Sequence, residues 1–230
     1  FRNVLWEYQD EVYVTNGSQS SKFINTCLGR CDFALLEGEL PPSTDYYAVY
    51  PYYMVKNYNS SEFLIEIPSV QAYFKDGIAA DSFPMVATSD DGIFSFQNLC
   101  GVFVLQLTGD ETISSVTFSG MDASGIDIPV SGNGTILMDY SVTPSLIMKD
   151  SAKNSVTLEC ADGVRLNPTI PTTFHIVLPV GIYNTFNVSV KATDGTEMTI
   201  KSQRTLEIKR STRTTAANLS YSGVIQYKDL

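Results

Sequence analysis

The chain has 230 residues, of which 43% are hydrophobic and 17% charged, and a formal net charge of −10. That length holds one large or two small domains, each able to bury its own core. The acidic balance argues against nucleic acid and anionic lipid surfaces as partners, because both bind clustered Lys and Arg.

In chain order, residues 1–92 offer short strand candidates at Glu11–Thr15, Lys22–Asn25, Phe33–Leu36, Tyr46–Tyr52 and Phe63–Ile67. Polar, turn-forming stretches separate them, among them Asn16-Gly17-Ser18, Pro41-Pro42-Ser43 and residues 57–61. Tyrosine is concentrated here, at Tyr46, Tyr47, Tyr50, Tyr52, Tyr53 and Tyr58. On one extended strand Tyr46, Tyr50 and Tyr52 would face one way, and Tyr47 and Tyr53 the other. Exposed rings of this kind stack on sugars or on partner side chains; buried, one row fills a core and the other lines a domain interface. Tyr46, Tyr47, Tyr50 and Tyr53 are the candidate interface aromatics on this reading.

Ser89-Asp90-Asp91-Gly92 is a strong turn signal and sets the expected division into two domains, 1–92 and 93–230. Beyond it, strands are expected at Ile93–Phe96, Val102–Leu107, Ser115–Ser119, Thr135–Asp139 and Val156–Cys160. Further strands are expected at Phe174–Leu178, Phe186–Lys191, Met198–Ser202, Leu206–Lys209 and Val224–Tyr227. The clearest code lies in residues 172–201, where Phe174, Ile176, Leu178, then Phe186, Val188, Val190, then Met198 and Ile200 fall at every second position. A period of two puts alternate side chains on opposite faces of a pleated strand, one dry and one wet. Gly109-Asp110, Ser131-Gly132-Asn133-Gly134, Ala161-Asp162-Gly163 and Thr193-Asp194-Gly195 supply the expected tight turns. Short strands at regular intervals predict an all-β protein of antiparallel β-sandwiches rather than βαβ units.

Signals for chemistry are sparse. No run approaches the roughly 20 apolar residues of a membrane-spanning helix. The one histidine, His175, sits on the polar parity of its strand, so it is expected at the surface and without a nucleophile beside it. Asp90-Asp91 and the Asp122/Asp127 pair read as turn residues rather than an acid–base couple, and no metal or cofactor site is expected. Cys27 and Cys31 either close a small disulfide loop in an oxidising compartment or remain thiols, while Cys100 and Cys160 read as small core side chains. Asn-x-Ser/Thr triplets beginning at Asn16, Asn59, Asn133, Asn187 and Asn218 mark surface positions.

An ordered set of motifs points to a family. W-E-Y-Q-D (Trp6–Asp10), D-Y-Y-A-V-Y-P-Y (Asp45–Tyr52), P-M-V-A (Pro84–Ala87) and F-S-F-Q-N-L-C-G-V-F-V-L-Q-L-T-G (Phe94–Gly109) come first. They are followed by I-S-S-V-T-F-S-G (Ile113–Gly120), V-T-L-E-C (Val156–Cys160), F-H-I-V-L-P-V-G-I-Y (Phe174–Tyr183) and I-K-R-S-T-R (Ile208–Arg213). In this order the chain resembles the fimbrillin-like surface proteins of Bacteroides-type bacteria. The resemblance implies two transthyretin-like β-sandwich domains in a non-catalytic pilus subunit or adhesin. It also implies export as a lipoprotein to the outer membrane, with a lipid anchor in the precursor and no transmembrane helix. Its partners would be other pilus subunits, joined by donor-strand exchange after a protease removes a leading strand, and Arg2 is the candidate remnant of that cut. The alternative is a surface module that binds host glycan or matrix protein without polymerising. Asp150-Ser151-Ala152 fits the short pattern such bacteria use for O-glycosylation, which makes Ser151 the candidate acceptor. The chain departs from the family's pattern at Gln9, where the family carries glycine before the first Asp.

Overall fold

The computed structural model describes residues 6–27, 32–59, 62–139, 142–149 and 151–227. In chain order the first strands are β1 (Glu11–Thr15), β2 (Ser20–Asn25), β3 (Phe33–Glu37), β4 (Tyr46–Tyr50), β5 (Val55–Asn59), β6 (Glu62–Ile67), β7 (Val70–Ala72) and β8 (Met85–Ser89). There follow β9 (Gln97–Asn98), β10 (Cys100–Thr108), β11 (Thr112–Met121), β12 (Asp127–Ile128), β13 (Gly132–Asp139), β14 (Val142–Met148) and β15 (Ser155–Arg165). The last are β16 (Thr172–Pro179), β17 (Gly181–Tyr183), β18 (Thr185–Ala192), β19 (Glu197–Ser202), β20 (Leu206–Ile208), β21 (Arg213–Ser220) and β22 (Gln226–Tyr227). The helical pieces among the described residues are two single 3-10 turns, Tyr52–Met54 and Ala80–Ser82. The all-β class expected from the alternating pattern is the class observed, and no described helix is long and apolar enough to cross a membrane.

The chain divides into two compact units. The first runs to Glu66 and also takes Pro84–Leu99 and Gly134–Ile147; the second takes Ile67–Phe83, Cys100–Asn133 and the chain from Met148 on. The Ser89–Gly92 turn lies inside the first unit, where Ser89 Oγ accepts from the Asp91 and Gly92 N–H groups.

In the first unit a six-stranded sheet of order β3-β2-β1-β4-β8-β9 accompanies a four-stranded sheet of order β14-β13-β6-β5. Alternation along β1 and β4 splits the larger sheet into two apolar faces, because Val14 pairs with Ala48 while Tyr13 pairs with Val49. Val12, Val14, Ala48, Tyr50, Met85 and Ala87 form one buried face, capped by the chain's only tryptophan. The Trp6 ring meets Phe33, Tyr50 and Phe96 edge-on at 5.0–5.1 Å, the arrangement favoured by ring quadrupoles. On the other face Tyr13 meets Phe63 of β6, also edge-on, at 5.9 Å.

The second unit pairs a three-stranded sheet, β16-β10-β21, with a larger one of order β22-β19-β18-β11-β15-β7, to which β12 adds beside β11. The predicted alternation is observed: Phe174, Ile176, Leu178, Val188, Val190, Met198 and Ile200 are all fully buried in one apolar cluster. Phe118 sits at its centre, 5.3 Å from Phe103, 5.7 Å from Phe186 and 5.5 Å from Tyr183. Most ladders are antiparallel, but β21, β7 and β22 run parallel to β10, β15 and β19. Segment 67–83 straps one side of this sandwich. Its β7 extends the larger sheet beside β15, Tyr73 packs on Phe174 at 5.5 Å, and the Gln71 side chain bonds the backbone of β16.

Candidate interaction surfaces

The tyrosine-rich stretch does not form one strand. β4 ends at Tyr50, a cis peptide joins Tyr50 to Pro51, and Tyr52–Met54 make a 3-10 turn. A turn of three residues replaces the period of two, so the expected sorting of rings holds for Tyr46, Tyr47 and Tyr50 and fails for Tyr52. Tyr46 and Tyr50 lie on the Trp6 face. The Tyr46 hydroxyl accepts from the Ser43 N–H at 2.7 Å, and Tyr50, 5% exposed, donates to Asp10 Oδ1 at 2.9 Å. Tyr47 lies on the opposite face, 6.5 Å from Tyr58. Tyr52 joins that face too, 6.0 Å from Tyr13. Tyr53 is the most open of the candidates, with half of its surface exposed.

Tyr52 and Tyr58 of the tyrosine-rich stretch, together with Tyr13 of β1, line a groove of about 530 Å³ between the β1–β2 hairpin and β5. Their convergence is not written locally, because they come from a strand, a 3-10 turn and an edge strand. The two ring pairs are only mildly tilted, by 33° for Tyr13–Tyr52 and 31° for Tyr47–Tyr58. Burial, and after it the neighbouring Tyr47 and Tyr13 hydroxyls, raises the Tyr58 pKa above the usual phenol value, so the phenol stays protonated and can donate. Beside the groove, the Lys22 ammonium lies 4.5 Å from the Tyr52 ring centre and 3.5 and 3.6 Å from carboxylate oxygens of Glu11 and Glu37.

A second surface is the free side of β3. This strand ends the six-stranded sheet, and no described strand pairs with its outer side. Leu35 and Leu36 are 50% and 47% exposed. They lie at a bulge: Phe23 pairs with Leu35 and Lys22 with Glu37, which leaves Leu36 as the extra residue on β3.

The other candidates fall as follows. Ser151 is exposed in the turn between β14 and β15. Arg2 and Cys31 lie outside the described residues, and with Cys31 so does the test of a Cys27–Cys31 bridge; Cys27 is half-buried. Cys100 and Cys160 are buried, as expected of core side chains, and burial pushes their thiols up to about 12 and about 11. His175 corrects the expectation of a surface residue, for it is only 5% exposed. The strap covers its side of β16, and the ring makes a hydrogen bond to the Gly77 backbone. Burial, followed by the Arg213 charge, lowers its pKa. No group of three or more His, Cys, Asp or Glu side chains that could hold a metal ion occurs among the described residues.

No family model and no curated protein matches the chain. Among solved structures, a fimbrial protein from Bacteroides ovatus is similar at 12% identity and a TM-score of 0.37, over 97% of this chain and 46% of that one. The tip fimbrial protein Mfa3 from Porphyromonas gingivalis, in a form with a C-terminal truncation, is similar at 10% identity and a TM-score of 0.30, over 84% of this chain and 75% of that one. This chain spans less than half the length of the first of these.

Proposed function

We propose that the protein is a non-catalytic fimbrial subunit or adhesin of the cell surface, joined to neighbouring subunits by β-strand addition. The observation that carries this reading is the free side of β3 with its exposed Leu35 and Leu36. An unpaired strand edge presents a row of N–H and C=O groups that another chain can satisfy. A donor strand laid there gains ladder hydrogen bonds and covers the exposed leucines, so backbone pairing supplies affinity and side-chain fit supplies register. The ordered motifs shared with fimbrillin-like proteins support the same reading. On it the precursor is exported as a lipoprotein, anchored by lipid to the outer membrane, and trimmed next to Arg2 before assembly.

The test is assembly of the precursor with its upstream residues present. Trimming with an Arg/Lys-directed protease is expected to yield multimers visible by light scattering and electron microscopy. The Leu35→Lys/Leu36→Lys variant is expected to keep its thermal unfolding transition and remain monomeric. A trimmed precursor that stays monomeric overturns strand addition, and one that polymerises equally well with both lysines overturns β3 as the acceptor.

A further inference from the structure

We infer that the surface which meets the β3 edge is the outer face of the β17–β20 ribbon on a second copy of this chain. The inference rests on β3 as the assembly edge and names its partner. The two ribbon strands pair antiparallel, with Gly181 opposite Ile208, Ile182 opposite Glu207 and Tyr183 opposite Leu206. Alternation sorts the ribbon into two faces. Tyr183, Leu206 and Ile208 are buried in the core of the second unit, whereas Val180, Ile182, Glu207 and Lys209 are exposed. Val180 and Ile182 keep 50% and 57% of their surface open. The ribbon is firmly seated. Gly101 of β10 leaves no room for a Cβ beside the Lys209 carbonyl, and the Ser211 N–H donates to the Cys100 carbonyl at 3.0 Å. A surface fixed in place before contact loses little freedom on binding.

Charge selects the occupant. The chain has only 15 Lys and Arg residues and a net charge of −10, yet residues 201–213 hold five of those cations against the single carboxylate of Glu207. Lys209 lies 3.1 Å from that carboxylate, and the segment as a whole stays positive. The β3 region has the opposite sign. Residues 32–55 contain Asp32, Glu37, Glu39 and Asp45 and no Lys or Arg. Asp32, Glu37 and Glu39 are exposed and flank the open Leu35 and Leu36. Lys22 of β2 is shared between Glu11 and Glu37, at 3.5 and 3.6 Å, so one cation meets two carboxylates and the edge stays negative. Each surface thus sets two exposed aliphatic side chains among charges of one sign, and the two signs are opposite. Such complementarity steers encounter and fixes register. Nucleic acid or an anionic membrane would leave Val180 and Ile182 without an apolar partner and would face the net negative charge of the chain. Because the two patches differ, the contact is heterologous, and each added copy presents a fresh edge or ribbon to the next.

The trimmed precursor should carry a benzophenone side chain in place of Ile182, be mixed with an isotope-labelled copy lacking that probe, and be irradiated and mapped by mass spectrometry. Cross-links to residues 32–39 of the labelled copy are expected. Multimers with no such link, or with links to another segment alone, overturn the inference and spare β3 as the acceptor. Links to residues 32–39 without growth into multimers sustain the contact and overturn strand addition instead. A monomer with no link overturns both.

Charge reversal reads the electrostatic part separately. Arg204→Glu/Lys209→Glu on the ribbon and Asp32→Lys/Glu39→Lys beside β3 change exposed positions, so each variant is expected to keep its thermal transition. Each should slow cross-linking and assembly about tenfold or more at low salt, and added salt should slow the unmodified protein in the same way. Mixing the two variants should restore the rate, because reversed ribbon then meets reversed edge and native ribbon meets native edge. A loss caused by misfolding would not be restored. Unchanged rates in both variants, or no recovery on mixing, overturn the inference.

Discussion

The side-chain amide of Gln71 makes two hydrogen bonds to the backbone of Val177, donating to its carbonyl oxygen and accepting from its N–H, both at 2.9 Å. Gln71 is 2% exposed and stands 106 residues away in the chain. A primary amide offers the same donor and acceptor as a peptide group, so one side chain stands in for a rung of a neighbouring strand along β16.

Gln71→Ala should leave a buried N–H and a buried C=O without partners and lower stability by about 2–4 kcal/mol, read as a shift in the urea midpoint. Gln71→Glu keeps the acceptor but, when ionised, loses the donor and buries a charge. Its deficit should therefore shrink as the pH falls and the carboxyl is protonated, a trend that the alanine variant should lack.

His175 makes stability depend on pH in a defined direction. Its pKa is lowered in the folded protein by burial and then by Arg213, while its Nδ1 has no hydrogen-bond partner. Below the unfolded value of about 6.5 the unfolded chain takes up a proton that the folded chain resists. Stability should accordingly fall as pH drops from 7 towards 5, with a slope of at most about 1.4 kcal/mol per pH unit. The chain has no other histidine, so His175→Gln should flatten the curve in that window. An unchanged slope in the variant would refute this assignment.

Tyr50 and Asp10 join the Trp6 face to the turn that precedes β1. Asp10 accepts from the Tyr50 hydroxyl at 2.9 Å and from the Glu7 N–H at 2.7 Å. Burial first, and the Asp10 charge second, hold the Tyr50 phenol above its usual pKa, so it remains a donor across the ordinary pH range. Tyr50→Phe should cost about 1–2 kcal/mol and Tyr50→Ala about 3–5 kcal/mol. Trp6 fluorescence during urea unfolding reads both, because Trp6 lies against the Tyr50 ring.

Gln9 occupies the left-handed region with a φ of +72°, and its N–H donates to the Asn25 carbonyl at 3.0 Å. The turn survives without glycine, but a side chain there carries a steric cost that glycine does not. Gln9→Gly should raise stability by about 0.5–1 kcal/mol, partly offset by the greater freedom of glycine in the unfolded chain. A lower thermal midpoint in this variant would show that the Gln9 side chain contributes more than its backbone conformation costs.

The all-β class, the strands around Phe174–Leu178, Phe186–Val190 and Met198–Ile200, and the Asp194-Gly195 hairpin were legible in the residues alone. In that hairpin Asp194 Oδ1 accepts from the Thr196 N–H and hydroxyl at 2.9 and 2.7 Å. These features are local: alternation, turn chemistry and burial are written within a few neighbouring positions. Other elements carry no such code. β5 (V-K-N-Y-N) overlaps the polar stretch 57–61, β21 (R-T-T-A-A-N-L-S) is not among the expected strands, and Asp162-Gly163, expected as a turn, lies within β15, where Gly163 at φ +70° falls in a bulge facing Ile113–Ser115. β21 forms because β10, distant in sequence, satisfies its backbone, whereas β5 forms on its chain neighbour β6.

Local alternation fixed which face of β16, β18 and β19 is apolar. Tertiary structure decided which rings meet, which edge of a sheet stays open, and that His175 is covered. The physical reason is that pleating is set by each residue's nearest neighbours, whereas the burial of a strand's second face depends on what segments such as 67–83 lay across it.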